Sequence, residues 1–176
     1  MNQLAPMRLA VGDVVVYGCH GVGRVAPSDG RGAEQAMLVL EFEAGLRVSL
    51  PVARARESLR PLSNQRELAL VERALRADAT PDQEQWSQRF RATREKLTAG
   101  QATGLAEIVR DSIHRERRRG AIASPAEREL YLKARRLLAV EISVSRGIDQ
   151  LEADDWITEQ IEQSDSPAAR AVTAAR

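Results

Sequence analysis

Trp86, Arg89, Arg91, Arg94 and Lys96 stand within the stretch WSQRFRATREK, where four cationic side chains face one acid, Glu95. Cationic groups at this density can neutralise successive phosphates of a nucleic-acid backbone, and a large ring among them can insert between base pairs as a wedge. A plainer reading competes. At helical spacing Trp86, Phe90 and Leu97 fall near one face, and a stripe of that kind is ordinarily core. Periodicity alone favours core. Trp86, however, comes in the first or second turn of the expected helix and is followed at once by Arg89 and Arg91. That is also the arrangement of an intercalating wedge with its phosphate clamps, and both readings stay open.

The remaining constellations are weaker. RDSIHRERRR, residues 110–119, holds five positive and two negative residues with His114 as a further donor. Its pattern fits a solvated helix end favoured by its own C-terminal dipole better than a DNA patch. Cys19 and His20 are adjacent, so on a strand or turn they point to opposite sides, and no further ligand stands near them. The glycines of GCHGVG are not followed by a helix whose N-terminus could meet an anion and read as a β-turn. With two histidines and neither a Walker A lysine motif, G-x-S-x-G nor H-E-x-x-H, an enzyme is not expected. A single cysteine leaves no internal disulfide framework and no cysteine-based metal cage, so neither a metal nor a cofactor is expected.

The elements that must position these residues are bounded by composition. At 176 residues and 19.4 kDa there is room for one domain or two small ones. A hydrophobic share of 43%, a charged share of 29% and a mean hydropathy of −0.36 are those of a soluble globular chain. No apolar run approaches the ~18 residues of a membrane span, and the start MNQLAPMRLAVGDVV has no signal-peptide pattern. A reducing cytoplasm is the expected address and no membrane partner is expected. Net charge is only +1, from 26 basic and 25 acidic residues, but it is unevenly spread: residues 149–165 carry seven acids and no base. The basic middle can therefore face phosphates while the acidic end faces elsewhere.

Residues 9–62 read in period two, with VGDVVVYG, GRVA, AMLVLEFE and LRVSLP separated by turn material. Four or five short antiparallel strands in about 55 residues predict a small barrel of the SH3 or Tudor type, with Gly12, Gly21, Gly23 and Gly45 at sharp bends. From Ser63 the period changes to 3.6. Ser63 is the expected cap for a helix carrying Leu68, Val71 and Leu75. Thr80, Pro81 and Gln83 predict a capping box for a helix over 82–99 stopped by Gly100, and Leu105, Ile108, Val109, Ser112 and Ile113 form a core stripe. Ser124, Pro125 and Glu127 repeat the capping device for a helix that ends near Gly147. The acidic piece LEADDWITEQIE is weakly amphipathic, and SDSPAARAVTAAR reads as a frayed tail. The predicted fold is thus α+β in two domains, 1–62 as the barrel and 63–176 as a compact all-α bundle of four or five helices, with an acidic segment from about 149. That segment is expected to be dispensable for DNA contact because its carboxylates repel phosphate.

VGDVVVYGCHGVGRV and LRVSLP resemble the N-terminal domain of the CarD/CdnL family of bacterial transcription regulators. WSQRFRATREKLTAG, AEIVRD and SPAERELYLKARRLLAVEIS resemble the second domain of the same family in order and spacing. The resemblance covers roughly residues 9–145. It implies a Tudor-like domain that binds the β subunit of bacterial RNA polymerase, with Arg31, Arg47 and Pro51 at the contact. It also implies a helical domain that meets promoter DNA at the upstream edge of the transcription bubble. There Trp86 would wedge into the minor groove and stabilise the open complex, while Arg89, Arg91, Arg94 and Lys96 hold the backbone. A cytoplasmic, nucleoid-associated monomer is implied. The chain departs from the family pattern at Gly18, where a proline follows the tyrosine, at Gln88, a basic position of the wedge helix, and at Ser49, which is arginine in some members. The first domain also resembles the polymerase-binding module of the transcription-repair coupling factor, whose motor motifs this sequence lacks. A rival reading is an adaptor that binds polymerase and recruits another protein through its helical domain without touching DNA.

Overall fold

The computed structural model describes residues 9–27, 36–79, 85–119 and 124–165. The chain divides into two compact units, Met1–Leu62 and Ser63–Arg176.

In the first unit, strands β1 (Val14–Tyr17), β2 (Gly21–Ala26), β3 (Met37–Phe42), β4 (Arg47–Pro51) and β5 (Leu59–Pro61) form one antiparallel sheet in the order β4-β3-β2-β1-β5. A seven-residue helix, α1 (Val52–Ser58), carries the chain from one edge to the other. Period-two alternation sends Leu38, Leu40 and Phe42 of β3 inward, where they join Val15, Val25, Leu50, Ala55 and Leu59 in a single core. The sheet is not closed into the predicted barrel: among the described residues no ladder joins β4 to β5. Length explains this. β5 has three residues and ends in Pro61, and β4 ends in Pro51, so the two edge strands offer few donors for a closing ladder. Gly23 is needed for space, not for a bend. It lies opposite Phe42 across the β2–β3 ladder, and a Cβ there would come within 2.8 Å of the ring. Gly18, where the family pattern has proline, takes φ 40 in the turn between β1 and β2, a value the pyrrolidine ring forbids.

The second unit contains α2 (Gln65–Arg76), α3 (Trp86–Ala99), α4 (Ala102–Arg119), α5 (Pro125–Arg146) and α6 (Gln150–Asp165). The α4 helix packs on α2 and α5, α6 closes against α5 and α2, and α3 lies on α4 and α5. The core gathers Leu68, Val71 and Leu75 with Leu105, Ile108, Val109, Leu138, Ile142, Ile157 and Ile161. Ser63 is not the cap of α2. Asn64 is, closing a capping box with Glu67, while the Ser63 N–H and hydroxyl donate to Glu141 Oε1 at 3.2 and 2.7 Å. Glu141 is buried, so these bonds satisfy a carboxylate that would be costly to bury alone. Ser124 and Glu127 form the predicted capping box at α5, and Gly100 and Gly147 end α3 and α5 in the left-handed conformation. Thr80, Pro81 and Gln83 lie outside the described residues. The acidic segment is no appendage: Ala153, Ile157 and Ile161 of α6 are fully buried. Arg135 ties α6 down through Asp154 Oδ1 and Oδ2 at 2.6 and 2.7 Å, a bond that raises its already high pKa, and Arg146 stacks 3.9 Å over Trp156.

Candidate nucleic-acid interface

α3 gives least to the core. Leu97 is its one buried residue among the described residues, so most of its surface is available. Trp86 is the first residue of the helix, 49% exposed, with its ring stacked on Phe90 at a centroid distance of 5.1 Å and an interplanar angle of 15°. The stripe that suggested core therefore divides. Leu97 enters the core, Phe90 is half-buried, and Trp86 stands out at the end.

The cations of α3 divide as well. Arg91 and Arg94 are exposed, border an open concavity with Ser87, Phe90 and Thr98, and their side chains make no hydrogen bond or ion pair among the described residues. Lys96 is bound to Glu107 at 2.7 Å. The Arg89 side chain, only 15% exposed, turns inward and meets Glu127 Oε1 at 3.3 Å. Glu127 was legible in the sequence as half of a capping box, yet its second use was not. The same oxygen faces Arg115 of α4 at 3.9 Å, so one carboxylate joins the starts of α3 and α5 to α4. Burial pushes the Glu127 carboxyl up, but the Ser124 side chain and backbone, Arg89 and the Trp86 indole outweigh it and hold the pKa below its ordinary value.

The second basic run divides too, with Arg110 in the core and Arg117 and Arg118 exposed. Arg110 is buried and donates from Nη1 to the Ala74 carbonyl at 2.9 Å, satisfying a group in the last turn of α2, and it pairs with Asp111 at 2.8 Å. Arg117 faces Glu162 of α6 at 3.9 Å.

In the first unit, Arg47 and Ser49 are exposed on the edge strand β4, and Pro51 is half-buried at its end. Arg31 lies outside the described residues. Among the described residues no helix is long and apolar enough to cross a membrane, and no cluster of His, Cys, Asp or Glu could hold a metal ion.

Residues 9–63 match the CarD-like/TRCF RID domain, and residues 66–158 match the family described as CarD, C-terminal domain. An antiparallel sheet of the RNA polymerase-interacting type followed by a helical unit of this kind defines a class of RNA polymerase-interacting transcription regulators. The chain belongs to the CarD/CdnL family.

Proposed function

We propose that the protein binds the β subunit of RNA polymerase through a Tudor-like first unit and stabilises the promoter open complex through its helical unit, as a cytoplasmic, non-enzymatic monomer. Arg47, Pro51 and Arg31 mark the polymerase contact. The open edge of β4 supports pairing with a strand of the partner, where main-chain bonds give affinity and Arg47 adds charge complementarity. Trp86 enters the minor groove at the upstream edge of the bubble, and Arg91 and Arg94 neutralise phosphates beside it, recognising groove shape more than base edges.

The observation that carries this reading is Trp86 itself: a half-exposed indole on the first residue of a helix, with exposed Arg91 and Arg94 in the next two turns. Thermal melting and open-complex lifetime measured on one Trp86→Ala sample test it. The expected result is a stability change within about 0.5 kcal/mol and a lifetime shortened by about tenfold, since partial unstacking of a base step involves a few kcal/mol. A stability loss of about 3–5 kcal/mol would mark the ring as core and sink the wedge. An unchanged lifetime at unchanged stability would favour the adaptor.

A further inference from the structure

The first turn of α3 has little of its own to hold it. Gln85 at the N-cap makes no side-chain cap bond, and no acidic residue stands in the first turn. The Gln88 and Arg89 N–H groups share the Gln85 carbonyl at 3.1 Å, no side chain adds a cap, and such a turn frays readily. Trp86 is its first residue. Three contacts oppose fraying: the ring stack on Phe90, which lies on the same helix, and two that leave it for Glu127, the ion pair from Arg89 and the hydrogen bond from the Trp86 indole. The last two tie the turn to the start of α5.

Glu127 is a firm anchor. As the third residue of α5 it closes the capping box, and its Oε2 receives the Ser124 N–H at 3.2 Å and hydroxyl at 2.9 Å. Its Oε1 is turned to Arg89 and Arg115, so each oxygen has a separate task.

We propose that Glu127 is a positioning residue for Trp86: by holding Arg89 against the start of α5 it fixes the first turn of α3, and with it the angle at which the indole is presented to DNA. This rests on the wedge reading of Trp86. The carboxylate is a shared counter-charge for Arg89 of α3 and Arg115 of α4, and its neutralisation weakens the tie while leaving an oxygen to accept from Ser124.

The test uses the full chain carrying 5-fluorotryptophan, with the Trp86 resonance assigned by Trp86→Phe and the Trp156 resonance as internal control. Glu127→Gln keeps a capping-box residue but removes the charge. Its expected signature is a shifted, narrower Trp86 resonance, an unmoved Trp156 resonance, a melting temperature only slightly below wild type at neutral pH, and an open-complex lifetime shortened about two- to fivefold. Arg89→Met should reproduce all four, and the double variant should be no worse than either single one. An unmoved Trp86 resonance in both variants overturns the proposal, because a residue that merely caps α5 would leave the indole where it is. Should Glu127→Gln melt the bundle, Arg89→Met leaves the capping box in place and carries the same readouts. If the resonance moves while Trp86→Ala and Glu127→Gln both leave the lifetime untouched, positioning is upheld and the DNA reading fails.

Discussion

Arg89, Arg91, Arg94 and Arg110 are chemically one side chain in very different surroundings, and the surroundings decide what each does. Arg91 and Arg94 are exposed, so Arg91→Ala and Arg94→Ala should each remove about 0.9 from the log–log salt slope of DNA binding, with stability unchanged within about 0.5 kcal/mol. Arg110→Ala should behave oppositely. It strips a partner from the Ala74 carbonyl and should cost about 1–3 kcal/mol in chemical denaturation without altering the salt slope. Glu127 adds a pH signature. Its folded pKa is lowered, so the stability it contributes is complete above the ordinary carboxylate value of about 4.3 and is lost as pH falls through the lower folded value. Melting curves of wild type and Glu127→Gln should therefore converge in acid and separate as the pH is raised; a gap that widens in acid would contradict the assignment.

Among the elements, α6 and the β2–β3 ladder carry the clearest consequences. The carboxylates of α6 suggested a segment that could be removed without harm, but Ala153, Ile157 and Ile161 fill the core. Deleting residues 149–176 should expose the α5 residues that face them and abolish cooperative unfolding of the helical unit, measured by thermal circular dichroism, so that loss of open-complex stabilisation in such a variant would follow from unfolding. In the sheet, Gly23→Ala places a methyl group 2.8 Å from the Phe42 ring and should destabilise the first unit by about 1–3 kcal/mol, since an aromatic ring packed in the core has little room to retreat.

For the whole molecule, two units of different construction divide the proposed work, and full-length variants should separate it. Arg47→Glu should weaken binding to the β subunit in a direct binding assay while leaving Trp86-dependent behaviour on DNA intact, and Trp86→Ala should do the reverse; loss of both in either variant would overturn the division. The family, the α+β class, the stripes of α2 and α4, the α5 capping box and the stops at Gly100 and Gly147 were determined by the sequence alone. The helical stripes, cap and stops depend on neighbours three or four residues apart or on a backbone angle that one residue type adopts easily. Tertiary structure decided the rest. Whether Trp86 was core or surface depended on how α3 lies on α4 and α5. Arg89 and Arg91, two positions apart, turned to different surroundings because Glu127 arrives from 38 residues away. Ser63 went to Glu141, 78 residues on, and not to a cap. The buried face of α6 was masked by its charge, since three small or branched residues, Ala153, Ile157 and Ile161, suffice to fill a core once helices α5 and α2 enclose them. A local pattern records which face of a helix is apolar; which partner meets the polar groups at its margins is set only when distant segments pack.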